Sequence, residues 1–345
     1  RNVLPLRGGR VAVLGSMCDA PNDVGTLLGN WDIGNAYILG GSGRVIPGSV
    51  VSILEGIRER ATIAGVTVLS EISDDVNAAI EVANSADIAI VCGATFSHEG
   101  EDRANLHVEQ EDFIMKVAAS AAVPIVVVTM TPGSILMPWI SHAAGAINMF
   151  LSGQETGHAL ADVLFGDVNP SGKSPVTFPI SEDDVVAPCQ ELECNYKEGL
   201  FVAWRGLEGK DVVFPFGHGL SYTTFDYDLH SPPSTSNCDA KLCITVSIRN
   251  TGLVVGSEVV QLYLGFPAAA NEPEKVLRGF HKVNLGPGES KLVPFALTTR
   301  DVQVFSPSHE AWRIPQGQFI VYIGSSSRDI RIKTSFDQSV DVTST

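Results

Sequence analysis

The sequence lacks any apolar run long enough to cross a bilayer, although 44% of its 345 residues are hydrophobic. A transmembrane helix needs about 20 consecutive apolar residues, so a membrane span is excluded. Positive charge is also scarce, because 23 Lys and Arg stand against 39 Asp and Glu, which gives a net charge of −16. Such a surface repels phosphate backbones and anionic lipid, and we expect neither nucleic acid nor a membrane as a partner.

Several chemical signatures are missing as well. The eight histidines show no paired metal-ligand spacing, and the glycine cluster 40–43 does not have the full dinucleotide-binding spacing. The same stretch misses the Gly-x-Ser-x-Gly frame of a serine hydrolase. We therefore predict no metal, no cofactor and no serine nucleophile.

The sequence begins at Arg1, with no charged-then-apolar segment before it. We expect either that a signal sequence was removed or that this is an internal piece of a longer protein. A usable Asn-x-Ser/Thr glycosylation motif is absent too, since Asn169 is followed by Pro170.

The six cysteines fall into two groups. The close pairs 189/194 and 238/243 lie in or beside polar segments and predict small disulfide loops, which favour an oxidising compartment. Cys18 and Cys92 lie in or beside apolar strand-like runs, and we predict that they are buried thiols.

The length supports two domains, since 345 residues exceed one ordinary hydrophobic core. In the first half, short apolar runs alternate with segments whose apolar residues recur every three or four positions, which indicates strands and covering helices. The predicted strands are Val11–Leu14, Val66–Leu69, Ile88–Val91, Ile125–Val128 and Ala146–Met149, and the predicted helices are 50–64, 74–86, 109–121 and 157–165. We therefore predict an α/β domain with a mostly parallel sheet between helices.

The C-terminal part alternates apolar and polar residues over short runs separated by turns. This period of two predicts strands at 242–248, 258–263, 291–297 and 319–323. They indicate an all-β sandwich of immunoglobulin or fibronectin III type. We interpret the Pro- and Ser-rich stretch Ser231–Ser236 as a separator and place the boundary slightly before it. Residues 1–222 then form the α/β sandwich domain and residues 223–345 the fibronectin-like domain.

Ligands of an open α/β sheet gather where the strands end at their carboxyl side. The loop 92–103 follows the predicted strand Ile88–Val91. Within five residues it contains His98, Glu99, Glu101 and Asp102. Such crowding predicts raised carboxylate pKa values, as a general acid requires. The alternative is a solvated acidic loop in which Asp102 and Arg103 form a local ion pair.

A second loop, residues 29–44, contains Trp31 and glycines around Ser42. A tryptophan beside a flexible loop can stack on a sugar ring, and the hydroxyl of Ser42 can hydrogen-bond to a sugar hydroxyl. The alternative for Trp31 is an ordinary buried side chain.

Four segments together resemble glycoside hydrolase family three, the β-glucosidase and β-xylosidase family, over nearly the whole chain. They are similar to the opening of the family's second domain, its acid/base loop, its helix-and-loop signature and its entry into the fibronectin-like domain. In that order they are Arg1–Leu6, Ser97–Arg103, Gly153–Glu155 with Leu164–Lys173, and Phe214–Phe225.

The resemblance implies that Glu99 is the general acid, which protonates the leaving glycosidic oxygen and then activates water as a base. It also implies that Glu99, Trp31, Ser42 and Phe96 form one wall of the substrate pocket. Glu101 stands where an aromatic residue is common in the family, so it could raise the pKa of Glu99 or be the acid itself.

A retaining mechanism needs a second carboxylate about 5 Å from the first. The family supplies it as an aspartate from an N-terminal (β/α)8 barrel, and no barrel precedes Arg1. We therefore expect a barrel partner, as a domain or as a separate chain of a cleaved precursor. The composite could also form a homodimer.

These expectations describe the acid/base part of a secreted retaining β-glycosidase, a β-glucosidase acting on terminal β-linked glucose of glycosides or oligosaccharides. The vacuole or lysosome is the alternative location. A non-catalytic glycan-binding pseudo-enzyme is the alternative function. A nucleotide-binding α/β enzyme is a third hypothesis, which predicts phosphate or a cofactor at the Gly40 loop.

Overall fold

The computed structural model of the protein describes residues 3–22, 32–189, 192–236 and 238–338. The chain divides into two compact units. The first combines residues 1–168 with 178–190, and the second combines residues 169–177 with 191–345. Within the described ranges, no helix is long and apolar enough to span a membrane.

The first unit is built on a parallel sheet covered by helices. Its strands are β1 (Arg10–Leu14), β2 (Thr67–Glu71), β3 (Ile88–Ala94), β4 (Ile125–Met130), β5 (Gly145–Asn148) and the short β6 (Phe178–Pro179). Its helices are α1 (Ile53–Ala64), α2 (Val76–Asn84), α3 (Glu111–Ser120) and α4 (Thr156–Phe165). The first five strands pair in the order β2-β1-β3-β4-β5, and all four pairings are parallel. Every residue of β3 and β4 is buried, as expected for a sheet with both faces covered, and the predicted α/β fold is confirmed.

Helices α1 and α4 approach so closely that their contact requires glycine. A Cβ on Gly56 would lie 2.2 Å from the carbonyl carbon of Gly157, and a Cβ on Gly157 would lie 2.0 Å from the carbonyl oxygen of Ser52. Ser52 also caps α1, because its hydroxyl accepts from the N–H of Glu55 while the Glu55 carboxylate accepts from the N–H of Ser52. This capping box fixes the end of the loop that contains Ser42.

Cys18 and Cys92 form a disulfide, so the prediction of two buried thiols is wrong. Cys92 lies in β3, and Cys18 lies in the short 3-10 helix Ser16–Asp19 that follows β1. Because β1 and β3 are neighbours, the sheet brings together cysteines that are 74 residues apart in the chain. The close pairs behave as predicted: Cys238 is bonded to Cys243, and the cysteines at 189 and 194 are disulfide-bonded.

The second unit is an antiparallel sandwich. Its strands are β7 (Val212–Phe214), β8 (Phe225–Ser234), β9 (Leu242–Asn250), β10 (Gly256–Gly265), β11 (Val276–Leu285), β12 (Ser290–Leu297), β13 (Val304–Ser306), β14 (Ala311–Arg313), β15 (Gly317–Gly324) and β16 (Ile330–Gln338). One sheet has the order β11-β10-β15-β16 and the other β12-β9-β8, while β13 and β14 form a hairpin. Alternate residues of β9 are buried in the core, and the predicted fibronectin-like sandwich is confirmed.

The Pro- and Ser-rich stretch Ser231–Ser236 does not separate two domains, because most of it belongs to strand β8. This strand extends to Ser234, which pairs with Cys243 of β9. The register of the pairing shifts twice after Leu229, so both prolines fall in the irregular part of an edge strand. An edge strand tolerates proline because one of its sides needs no hydrogen-bonded partner.

Candidate active site

Two loops of the first unit leave the sheet at the carboxyl ends of adjacent strands. Residues 32–52 follow β1 and residues 95–110 follow β3. The chain runs from β1 outward to β2 and returns to β3 on the other side of β1, so the topology reverses between β1 and β3. The crevice at such a reversal is the usual ligand site of an open α/β sheet.

Hydrogen bonds join these two loops. The N–H of Gly40 donates to the carbonyl oxygen of Ser97 at 3.0 Å, and the N–H of Ser42 donates to Oε2 of Glu99 at 2.6 Å. The Ser42 hydroxyl also hydrogen-bonds to the Glu99 carboxylate. The structure therefore brings together Glu99 and Ser42, two of the four predicted site residues.

The Glu99 side chain is exposed, and Ser42 lowers the pKa of its carboxyl group. The side-chain hydrogen bond has the largest effect, the backbone N–H adds to it, and partial desolvation opposes both. Hydrogen bonds to a carboxylate favour its charged form. The prediction that crowding raises the pKa of this glutamate is therefore wrong for the chain as described, because the bonds from Ser42 outweigh desolvation and the charges of the neighbouring acids are not among the causes of the shift.

Gly41 lies directly against the Glu99 side chain. Its φ is +106°, and a Cβ at this position would lie 2.3 Å from Cβ and 2.7 Å from Oε2 of Glu99. Both the backbone conformation and the close contact require glycine. No local pattern of the sequence connects this glycine cluster with Glu99, since Ser42 and Glu99 are separated by 57 residues.

Glu101, the other candidate acid, has a different partner. Its carboxylate lies 3.6 Å from Nε2 of His98, and its side chain is 74% exposed. Glu101 therefore lies beside an imidazole, whereas Glu99 is bound by a serine. The assignment of the acid to Glu99 stays a prediction from its position in the motif.

The far end of the loop is anchored by Arg103 and Glu182. The Arg103 guanidinium donates to the Ser134 carbonyl at 3.0 Å, while burial lowers its pKa and the charge of Glu182 raises it. The Glu182 carboxylate accepts the N–H of Leu106. Within the described ranges Arg103 makes no ion pair with Asp102, so the local pair considered from the sequence is wrong. Neither Ser134 nor Glu182 had a sequence signal.

Of the two aromatic residues of the predicted site, the structure describes only Phe96. Phe96 is half-buried and packs against the hydrophobic core of the first unit, and its contact with a substrate stays a prediction. Trp31 lies outside the described residues. Among the residues that are described, no group of three or more His, Cys, Asp or Glu side chains could hold a metal ion.

Comparison with known proteins places the chain in a family. Residues 1–222 match the Glycosyl hydrolase family 3 C-terminal domain, and residues 258–327 match the Fibronectin type III-like domain. The first match covers more than half of the chain, which therefore belongs to glycoside hydrolase family 3.

Individual relatives are similar over nearly the whole chain. Thermostable beta-glucosidase B of Acetivibrio thermocellus is 34% identical over 97% of this chain and 45% of its own length. Probable beta-glucosidase L of Aspergillus terreus is 37% identical over 97% of this chain and 50% of its own length. The crystal structure of Beta-D-glucoside glucohydrolase from Trichoderma reesei has a TM-score of 0.89 and 30% identity, over 97% of this chain and 52% of that one. The chain thus spans about half the length of the relatives it matches.

Proposed function

We propose that this chain supplies the general acid/base of a retaining β-glucosidase and that Glu99 is this group. The observation that supports the proposal is the exposed carboxylate of Glu99 at the topological switch point, bound by Ser42 of the neighbouring loop. Such a carboxyl group can protonate a glycosidic oxygen and, in the second step, take a proton from water. The names of the relatives support β-linked glucose as the sugar that is released.

The nucleophile of a retaining enzyme is a second carboxylate about 5 Å from the acid. We propose that it belongs to an N-terminal (β/α)8 barrel, present either as a further domain or as a separate chain. The relatives are about twice as long as the part of them that this chain matches. The half of each relative that this chain does not match leaves room for a barrel domain.

The lowered pKa of Glu99 suits its role as a base in the second step. The first step needs the proton on Glu99, and this requires a higher pKa. A barrel that covers the loop would desolvate the carboxyl group and add the negative charge of the nucleophile, and both effects raise a carboxyl pKa. We therefore expect the pKa of Glu99 to be higher in the complete site than in this chain alone.

The remaining assignments belong to the same proposal. Trp31 and Phe96 would contact the sugar ring, and the hydroxyl of Ser42 would exchange its bond to Glu99 for one to a sugar hydroxyl. The acid/base domain would comprise residues 1–222 and the fibronectin-like domain residues 223–345. The disulfides support an extracellular location, because disulfides persist in oxidising compartments.

The test is hydrolysis of an aryl β-glucoside by this chain alone and by the chain together with its barrel. We expect only the combination to be active. Glu99→Ala should lower kcat by about 10²- to 10⁴-fold on a substrate with a poor leaving group. Added azide should restore turnover of an activated substrate and yield the β-glucosyl azide, because azide can attack the glycosyl-enzyme as a nucleophile without a base to activate it.

Glu101→Ala is the matched control, and it should neither lose as much activity nor respond to azide. If azide restores the activity of Glu101→Ala but not that of Glu99→Ala, Glu101 is the general acid/base. If the combination binds glucosides and hydrolyses none, the chain is a glycan-binding pseudo-enzyme. A rise in melting temperature with NAD or ATP would instead support the nucleotide-binding hypothesis.

A further inference from the structure

The second unit contains an open pocket of about 250 Å³. Two aromatic residues, Trp204 and Phe216, and two arginines, Arg205 and Arg278, are among the residues that line it. Its volume is below the range of about 300–1,000 Å³ of ordinary ligand pockets, and suits a single monosaccharide unit. All four side chains belong to the same unit.

The two arginines of the pocket have no hydrogen-bond acceptor among the described residues. Nε of Arg278 is buried and unpartnered. Arg205 is half-buried, and its guanidinium makes no hydrogen bond or ion pair to a described side chain, although its charge, like that of Arg278, acts on the carboxyl group of Glu272. A buried donor without an acceptor is unfavourable, because it has lost its hydrogen bonds to water and has gained none in the protein. A planar guanidinium matches a carboxylate through two parallel hydrogen bonds, so this pair fits a carboxylate ligand.

Arg278 and the charged groups around it together carry a net positive charge in a chain that is strongly negative. Burial lowers the pKa of Arg278, and the charges of Asp301 and Glu272 raise it. Arg300 and Arg205 are near enough to lower it further. Three arginines thus face two acids, which leaves one positive charge here although the whole chain carries −16. Such a local excess attracts an anion.

Trp204 supplies a rigid apolar wall. Its ring stacks on Phe216 with centroids 5.2 Å apart and an interplanar angle of 13°, and it contacts Tyr263 edge-on at 5.6 Å. An aromatic ring held from two sides offers a preorganised surface to the C–H groups of a sugar. The preceding residue, Ala203, has φ +51°, a strained conformation for a residue with a Cβ. Strain of this kind is concentrated at ligand sites.

We propose that this pocket is a second carbohydrate site, which binds the hexuronate unit of an acidic sugar. Arg278 and Arg205 bind its carboxylate while its pyranose ring lies against Trp204. The site would attach the protein to acidic polysaccharide without taking part in hydrolysis. It does not depend on Glu99 or on a barrel, because every residue involved lies in the second unit.

The test is calorimetric titration of the 345-residue chain with sodium glucuronate, glucose and sodium acetate. Glucuronate should bind saturably, and glucose and acetate should each bind at least about tenfold more weakly, since one lacks the carboxylate and the other the ring. Raising NaCl from 50 to 500 mM should weaken glucuronate binding.

Variants of the two pocket arginines, with an arginine outside the pocket as the control, locate the site. Arg278→Gln and Arg205→Gln should each lower the affinity for glucuronate about tenfold or more. Arg278→Lys should also lower it, because lysine keeps the charge and loses the planar fork. Arg249→Gln is the matched control: it removes the same charge from an exposed side chain of β9 that neither lines the pocket nor is among the charges that act on Arg278, and affinity should stay within about twofold.

The absence of glucuronate binding to the unsubstituted chain would overturn the proposal. So would affinity unchanged in folded Arg278→Gln and Arg205→Gln, or equal binding of glucose and glucuronate. Acetate binding as tightly as glucuronate would show an anion site without a sugar, which also overturns it. Melting curves identify a variant that fails to fold. The affinities of the other two pocket variants then decide the test.

Discussion

The two units of the protein use carboxylates in opposite ways. In the first unit, Glu99 is exposed on a loop and is hydrogen-bonded by Ser42. In the second unit, Glu258 forms an ion pair with Lys173 at 3.0 Å, and the two side chains are only 7% and 12% exposed. Lys173 also donates to the carbonyl of Gly219 at 3.1 Å. A solvent-exposed carboxylate such as Glu99 can exchange protons with a ligand. A buried carboxylate paired with a cation, such as Glu258, contributes instead to the stability of the fold.

The architectures explain this difference. A parallel sheet places the loops after all its strands at one edge, so polar groups from distant segments meet there and remain open to a ligand. In an antiparallel sandwich the connections are divided between two ends, and a charge directed inward must find a partner in the core. Four changes would sharpen or break this comparison.

The largest expected effect concerns two of the disulfides, one in each unit. Cys18–Cys92 closes a loop of 74 residues and Cys238–Cys243 a loop of 5. In the chain-entropy estimate, replacing both cysteines by alanine should destabilise the first unit by about 4.5 kcal/mol and the second by about 2 kcal/mol. Calorimetry that resolves the two unfolding transitions measures both losses, and equal losses would contradict the loop-length argument.

Lys173→Met should destabilise the second unit by about 3 kcal/mol, because it leaves the Glu258 carboxylate buried without its cation. The loss should lie at the lower end of the usual range, since Glu258 keeps the N–H of Val259 at 2.9 Å. Denaturant unfolding measures it. Lys291→Met, at an exposed position of β12, should change stability by less than about 0.5 kcal/mol. A small loss of stability in Lys173→Met would mean that the ion pair between Lys173 and Glu258 is not needed for the stability of the second unit.

Ser42→Ala should raise the pKa of Glu99 toward its ordinary value. The substitution removes the side-chain hydrogen bond, which is the largest cause of the lowered pKa, and leaves the backbone N–H in place. Titration of the glutamate carboxyl carbons by NMR measures the change. Ser70→Ala, which removes a hydroxyl bound to Arg58, is the control and should leave Glu99 unaffected. An unchanged pKa in Ser42→Ala would show that the hydroxyl does not stabilise the carboxylate.

The smallest effect concerns His158 of α4. Its Nδ1 lies 2.7 Å from the Glu155 carboxylate, and its Nε2 lies 3.0 Å from the Glu59 carboxylate. Both hydrogen bonds raise the pKa of His158, and the bond to Glu155 has the larger effect. A raised pKa in the folded state stabilises the protein below about pH 6.5, and the gain disappears as the pH rises through the folded value. The groups are exposed, so His158→Gln should lose less than about 1 kcal/mol.

Melting temperatures of the unsubstituted protein and His158→Gln at pH 5.5 and pH 9 test this expectation. The difference between the two proteins should be larger at pH 5.5, where the imidazole is charged, and should shrink in high salt. An equal difference at both pH values would assign the effect to packing.

Local patterns predicted most of the fold. Helix and strand periodicities arise from hydrogen bonding and burial within a few residues, and every predicted strand of the parallel sheet overlaps an observed one. The stretch Ser231–Ser236 misled the interpretation because proline usually marks a break, and only the position of β8 at a sheet edge makes it compatible with a strand.

The sequence by itself determined the fold class of each unit, the close cysteine pairs and the loop that contains Glu99, because each of these depends on neighbours along the chain. The tertiary structure alone decided which groups lie beside them. The binding of Glu99 by Ser42, its contact with Gly41 and the bond between Cys18 and Cys92 all arise from the adjacency of β1 and β3. Strand order depends on pairing between distant segments, and no local period of the sequence contains that information.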